Sequence, residues 1–325
     1  MKSVGITGPP RSGKTSLLRA LAAGEPKAGV AAVPVPDPRL GALARIQSGW
    51  AGSPKMVPVR LEISDVHASA PTPAAALARL REVDALLIVV PAFSGAEPGP
   101  ALQAILDDLM LADMVPIETR LASARKDPGA RGEIPVLEAA LAHLAEGRLL
   151  AQGAWEEGDL RVLSPLAPIT LKPLVVIWNV DESGLVNRPA QIEPHLATSA
   201  SLEAEVAELE DEDAAALLEA FGIAEPVRAR ATGALYRCLD LITFFTVNER
   251  EAHAWELRRG ATALEAAGAV HTDMQRGFIR AEVIGFEELA RAGSWTPARS
   301  AGLGRVEGKS YVIADGDVIY FRFAL

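Results

Sequence analysis

The chain of 325 residues contains one cysteine, Cys238. A single thiol excludes an internal disulfide framework and a cysteine-built metal cage. Within "YRCLDL" it reads as a small buried hydrophobe. Positive charge is in deficit: 32 Lys and Arg stand against 42 Asp and Glu, a formal net charge of −10 and a pI near 5.1. Such a chain does not coat nucleic acid by bulk electrostatics, which leaves room only for a local basic face. No stretch approaches the ~18 uninterrupted apolar residues of a membrane span. The apolar run at the start is broken by "GPPRSGK" and lacks a basic leader region. No membrane or export segment is therefore expected, and the cytoplasm is the default compartment. What is present is 49% hydrophobic content over a length that suits two domains or three.

The pattern along the chain is that of an α/β protein. "SVGIT" reads as a short buried strand, followed by a glycine loop and a helix that starts near Lys14 and runs through "SLLRALAA". "VPVRLEISD" alternates Val59, Leu61 and Ile63 with Arg60, Glu62 and Ser64, a half-buried strand that ends at Asp65. "DALLIVVPAF" (84–93) and "PLVVIWNVD" (173–181) are continuous apolar runs of strand length, as in parallel strands covered on both faces. Helical patterns separate them, which predicts a doubly wound, mostly parallel sheet. Residues 98–165 interrupt this order with two helical patterns joined by "PGARGE", and predict an inserted helical hairpin. No long heptad repeat is present, so the arm should be short.

The seven carboxylates of "EAEVAELEDED" (203–213) read as a solvated helix face. Adjacent acids on a helix point in different directions, so they do not form a metal site. From residue 241 the pattern turns to short strand-like runs, with "ADGD" as a turn before the last strand. This tail carries 11 acidic and 10 basic residues. It shows no basic-aromatic platform, so RNA binding through it has weak support. The expected domains are a nucleotide domain over 1–97 and 166–240, the hairpin over 98–165, and a β-rich domain over 241–325.

Gly8-Pro9-Pro10-Arg11-Ser12-Gly13-Lys14-Thr15 fits the pattern G-x4-G-K-[ST] in full. Glycines at both ends let backbone N–H groups turn inward around a β-phosphate. Lys14 would reach the β- and γ-phosphates, and Thr15 would offer its hydroxyl to Mg²⁺. Ser16 follows on a helix whose positive end points at the anion. Arg11 could stabilise charge from within the loop, although a solvent-facing side chain is the simpler reading. "GLGRVEGKS" near the end is a decoy: Gly304 and Gly308 are one residue too close, and a strand rather than a helix follows. Asp65 takes the place of the strand-end carboxylate that supports Mg²⁺. His67, two residues on, is a candidate for orienting water, against the plainer reading of a histidine in a surface turn.

"WNVDESG" follows the strand 173–178 and places Asn179, Val180 and Glu182 where nucleotide-binding GTPases carry N-K-x-D. Val180 stands in for the lysine that packs over the base. Glu182 stands in for the aspartate that accepts from both guanine N–H groups, so guanine preference should be weakened. "TSAS" (198–201), with Ser199 and Ala200, occupies the last base-contacting loop.

With these residues in view the chain resembles the YchF family, the Obg-like ATPases. "VPVPDPRL" (33–40), "REVDALLIVV" (81–90), "LKPLVVIWNVDE" (171–182), "EAEVAELEDED" (203–213), "GATALEAAGAVHTDMQRGFIRAEVI" (260–284) and the final "EGKSYVIADGDVIYFRF" resemble family segments in the family's order. The resemblance implies a P-loop domain, a helical arm and a C-terminal TGS domain of β-grasp type. It also implies ATP with Mg²⁺ preferred over GTP, slow hydrolysis, and a link to the ribosome or translation. The chain departs from the family at its switches. No Ser or Thr occurs from residue 17 to residue 47, where the family places a threonine that senses Mg²⁺ and the γ-phosphate. "DVHASAPTPAA" replaces D-x-A-G-L and its glycine-rich loop, with Ala68 at the glycine whose N–H contacts the γ-phosphate. "VVPAFSGAEPG" lacks the family's proposed catalytic histidine. Two functions follow: a slow ATPase with Lys14 and His67 as catalytic residues, or a non-hydrolysing nucleotide-binding module that docks a protein or ribonucleoprotein partner through its arm and TGS domain.

Overall fold

The computed structural model describes residues 1–22, 25–47, 54–70, 72–186, 196–248 and 250–324. In chain order its strands are β1 (Ser3–Thr7), β2 (Val30–Pro34), β3 (Lys55–Val57), β4 (Arg60–Asp65), β5 (Ala85–Ala92), β6 (Leu174–Val180), β7 (Leu196–Thr198), β8 (Leu241–Val247), β9 (Glu251–Arg258), β10 (Phe278–Gly285), β11 (Arg305–Glu307) and β12 (Asp317–Phe323). The chain forms two compact units, one of Lys2–Val33 with Glu62–Ala231, the other of Met1, Pro34–Leu61 and Thr232–Leu325.

The first unit is the doubly wound sheet, in the order β2-β4-β1-β5-β6-β7. β1 pairs in parallel with β4 and β5, and β6 in parallel with β5 and β7. The six leading residues of β5 are buried, as expected of a strand covered on both faces. Because β1 lies between β4 and β5 with Ile6 opposite Asp65, the phosphate-loop motif and the strand-end carboxylate leave the sheet side by side. The carboxyl ends of such strands are where α/β sheets bind ligands.

The hairpin is inserted after β5. Helix Pro98–Ala124 and helix Ile134–Ala145 are joined by a 3₁₀ turn, Pro128–Glu133, and share a core of Ile117, Leu121, Leu137, Ala140 and Leu144. Pro116 stands inside the first helix, where it has no N–H to offer the carbonyl four residues back. Arg81, at the end of helix Pro73–Glu82, supplies the donor instead: its Nη2 reaches Ala112 O at 2.8 Å. Its Nη1 meets Asp113 Oδ1 at 2.9 Å and Ala167 O at 3.0 Å. Asp113 is fully buried and also accepts from Ile169 N, Thr170 N and Thr170 Oγ1.

The acidic segment 203–213 is solvated as expected at Glu205, Glu208, Glu210, Glu212 and Asp213, but not at Glu203. One helix ends at Val206 and another begins at Asp211. Glu203 is buried, accepting from Thr198 Oγ1, Val227 N and Arg230 Nη2. A buried carboxylate persists when it is paired and hydrogen-bonded in this way, and helical spacing alone does not reveal such partners.

The second unit is a mixed sheet in the order β11-β10-β12-β8-β9-β3. β10–β12 and β8–β9 are antiparallel, and β12–β8 is parallel. Helix Ala263–Val270, started by a Thr262/Glu265 capping box, packs on one face over Phe244, Ala281, Val283, Ile319 and Phe321. A helix laid across a mixed sheet is the β-grasp arrangement. β3 comes from far upstream and pairs with β9 in parallel. Arg39, of "VPVPDPRL", bonds Asp37 and Asp315, the latter in "ADGD", and stacks over Phe245 at 5.2 Å. Cys238 is only half-buried, and burial raises its thiol pKa to about 11. It is therefore a poor nucleophile.

Candidate functional site

The loop after β1 needs its glycines. Gly8 has φ of 149° and Gly13 φ of 95°. A Cβ on Gly8 would lie 2.2 Å from Val89 O, and one on Gly13 would lie 2.1 Å from Asn179 Nδ2. Arg11 also adopts a left-handed φ of 61°, with its side chain exposed. Pro9 is partly covered and Pro10 exposed, while Ser12 is buried and its Oγ has no hydrogen-bond partner among the described residues. Helix Lys14–Ala22 follows directly, anchored by Leu17, Leu18 and Leu21 in the core. Its amino end therefore faces the loop, with Ser16 partly buried in the first turn.

Lys14 Nζ donates to Gly8 O at 3.1 Å and Pro9 O at 2.7 Å, so the ammonium is folded over the loop. Burial lowers its pKa from the ordinary value, and the Asp65 carboxylate pulls the other way. Thr15 Oγ1 donates to Asp65 Oδ2 at 3.0 Å. Asp65 is buried, and its Oδ1 accepts from His67 N at 3.2 Å and Ala68 N at 3.1 Å, starting a short helical turn, Val66–Ser69. His67 lies at the exposed rim, with Nε2 3.1 Å from Thr7 Oγ1. Partial burial of the ring, then the Lys14 cation, lower its pKa from the ordinary value, which favours neutral imidazole.

Asn179 is spent on structure. It is buried, its Nδ2 donates to Ser12 O at 2.9 Å, and its Oδ1 accepts from Ala200 N at 2.9 Å. It thus ties the phosphate loop to the turn at Thr198–Ala200. Ser199 caps helix Ala200–Val206 through Leu202 N. Val180 is buried in a cluster with Leu185, Ala197 and Leu202. Glu182 is exposed on helix Glu182–Val186. Its neighbour Asp181 accepts from Ser183 Oγ and Gly184 N, which lower its pKa. The structure therefore brings Lys14, Thr15, Asp65 and His67 together at the loop, with Asn179, Ser199 and Ala200 behind it. Thr7 is a site residue that the sequence did not announce: nothing in its local pattern marks it as the partner of a histidine sixty positions on.

Among the described residues no group of three His, Cys, Asp or Glu side chains is placed to hold a metal. The Thr15 hydroxyl and Asp65 carboxylate are hard oxygen donors 3.0 Å apart, a pair that suits Mg²⁺ completed by phosphate oxygens and water. A separate groove of about 670 Å³ lies between helices Pro73–Glu82 and Pro98–Ala124, lined by Ala74, Leu77, Val115 and Pro116 among others. It offers packing rather than chemistry.

Residues 241–324 match the family model YchF-GTPase_C, described as "Protein of unknown function (DUF933)". Over nearly its full length the chain is 35% identical to the ribosome-binding ATPase YchF of Haemophilus ducreyi, covering 98% of each chain. It is 32% identical to the ribosome-binding ATPase YchF of Bacillus subtilis, covering 99% of each. It is 30% identical to the Obg-like ATPase 1 of Oryza sativa subsp. japonica, covering 90% of this chain and 82% of the relative. The solved YchF GTPase of Schizosaccharomyces pombe matches with a TM-score of 0.88 at 23% identity, over 99% of this chain and 97% of that one.

Proposed function

The chain belongs to the YchF family, and from that premise we propose that it binds ATP with Mg²⁺, hydrolyses it slowly and works on the ribosome in the cytoplasm. The observation that carries this is the joined arrangement of Lys14, Thr15 and Asp65 at the end of β1 and β4. Phosphoryl transfer asks a protein mostly for positioning and charge stabilisation. Lys14 is held by two neutral carbonyls, which a phosphate oxyanion outcompetes as an acceptor. Thr15 and Asp65 hold their oxygens toward the same corner of the loop. When bound, Mg²⁺ would neutralise charge on the β- and γ-phosphates. His67 is disposed to be neutral near pH 7 and so able to accept a hydrogen bond from water, once its contact to Thr7 is exchanged.

ATP is the better substrate and GTP the weaker one. Asp181 is occupied at its helix start, which leaves exposed Glu182 as the carboxylate for an exocyclic amine or a guanine N–H. One observation favours the second reading, a nucleotide-held docking module without turnover. The Ala68 N–H stands where the family's glycine meets the γ-phosphate, and here it is given to Asp65 Oδ1. A site that binds ADP and ATP equally cannot use the γ-phosphate to shift an equilibrium.

Calorimetric titration with ATP, ADP and GTP in Mg²⁺, with phosphate release followed in the same samples, separates the two. Release abolished by Lys14→Ala supports the ATPase. Binding with ADP equal to ATP and no release supports the module. No nucleotide binding refutes both.

A further inference from the structure

No Ser or Thr occurs from residue 17 to residue 47 to read the γ-phosphate, and the Ala68 N–H is given to Asp65 Oδ1. What stands at the head of β2 is a tight turn. Val30 N donates to Lys27 O at 3.0 Å, and both central residues are left-handed, Ala28 at φ 51° and Gly29 at φ 74°. Positive φ at both central positions is the type I′ pattern, which folds a chain back on itself closely. Glycine takes that conformation freely, whereas Ala28 takes it at a cost and needs the surroundings to hold it there. The holder is Asp65, whose backbone N–H donates to Gly29 O at 2.9 Å.

Asp65 thereby joins three segments of the first unit. Its N–H holds the turn, its Oδ2 accepts from Thr15 Oγ1 at 3.0 Å, and its Oδ1 accepts from His67 N and Ala68 N. β4 lies between β2 and β1 in the sheet, so the turn stands on the other side of Asp65 from the strand that leads into the phosphate loop. It borders the Thr15–Asp65 corner, the side of the loop that suits Mg²⁺ and the outer phosphate of a triphosphate.

Charge is the second argument. Lys14 and Asp65 offset one another, so the extra charge of a γ-phosphate at this corner calls for a further cation. Lys27 is exposed and makes no ion pair among the described residues. Glu25, the nearest acid along the chain, is already paired with Arg19 at 3.3 Å. A lysine ammonium is a compact point charge on a flexible four-carbon stem, so it can meet an oxyanion without a preset fork.

We propose that Lys27 is the group that tells ATP from ADP in this chain: carried on the turn that Gly29 fastens to Asp65, its ammonium pairs with the γ-phosphate. A lysine on a pinned turn takes over the sensing that the family assigns to a threonine. The inference rests on the nucleotide reading above and names the specificity-determining residue of that same site.

The test uses the full chain and calorimetric titration in Mg²⁺ with ADP and with the non-hydrolysable β,γ-imido analogue of ATP, at low and moderate salt. In the unchanged protein the analogue should bind more tightly than ADP. Lys27→Gln should weaken the analogue about tenfold, the worth of one hydrogen bond between charged groups, and leave ADP within about twofold. Lys27→Arg should restore most of the difference. Added salt should narrow the preference of the unchanged protein and hardly alter that of Lys27→Gln. Because Lys27 is exposed, the variants should melt with the unchanged protein. Arg11→Gln is the comparison: Arg11 lies in the loop that wraps the phosphate common to both nucleotides, so its loss should weaken both alike. An unchanged preference in Lys27→Gln, or an equal loss for both nucleotides, overturns the proposal. Transfer of the effect to Arg11→Gln overturns it as well. Equal affinity for the two nucleotides in the unchanged protein rejects the sensor and leaves nucleotide binding standing. Binding of neither nucleotide refutes the nucleotide reading itself, and the proposal with it.

Discussion

Arg81→Met tests whether a side chain can stand in for the amide that Pro116 lacks. The substitution removes three bonds at once: to Asp113 Oδ1, Ala112 O and Ala167 O. Breaking a buried ion pair from one side costs ~3–5 kcal/mol, because the other charge stays buried without its partner. Asp113 retains donors from Ile169 N, Thr170 N and Thr170 Oγ1, which places the charge term near the lower limit, ~3 kcal/mol. Ala112 O adds ~1 kcal/mol or more as a carbonyl left without that donor. The expected loss is therefore about 4 kcal/mol, read as the shift of the urea midpoint at unchanged slope. Pro116→Ala restores an N–H four residues beyond Ala112, so the helix can satisfy that carbonyl itself. In the double variant the loss should fall short of the sum of the singles by about 1 kcal/mol, the worth of one hydrogen bond. Loss below ~1 kcal/mol for Arg81→Met, set against the ~3–5 of a buried pair, would refute the buried-charge argument. Additivity within ~0.5 kcal/mol would refute the link between Arg81 and the proline.

Gly13→Ala should abolish ATP binding in calorimetry while leaving the circular dichroism spectrum unchanged, because its Cβ would fall 2.1 Å from Asn179 Nδ2 at a φ of 95°. Asn179→Ala should weaken ATP binding about tenfold, since Ser12 O and Ala200 N lose their shared partner and the loop loses its tie. Unchanged affinity would mean that the loop holds its shape unaided. Glu182→Asp should move the ATP-to-GTP affinity ratio toward GTP by about tenfold, the worth of one hydrogen bond to a charged group; an unchanged ratio would place the base elsewhere. Asp84 is pulled two ways. Burial raises its pKa, but Ser3 N, Lys2 and the Ser3 hydroxyl outweigh it and hold the carboxylate below its ordinary 3.8. Its stabilisation is thus complete above pH 3.8 and is lost as pH falls through the lower folded value. Asp84→Asn should flatten the acid limb of the stability curve below pH 4 and leave its shape at pH 7 unaltered; an identical acid limb would remove Asp84 from that account.

Much of the nucleotide site was legible along the chain because its parts are local. Gly8, Gly13, Lys14 and Thr15 lie in one eight-residue loop, and the apolar runs at β1, β5 and β6 announce the sheet that presents it. Asp65 was legible as the end of an alternating strand. The base-contacting positions were less so: Asn179 and Val180 occupy the expected place in sequence, yet one is consumed by backbone bonds and the other by the core. By itself, then, the sequence determined the phosphate loop, the strand–helix order and the carboxylate that meets Thr15, since periodicity and motif spacing are properties of neighbouring residues. Only the tertiary structure decided that Glu203 is buried against Arg230, that β3 joins β9, that Arg81 answers Pro116 and that Gly29 meets Asp65. Each of these depends on the register between distant segments, and register is set by which apolar faces are buried together.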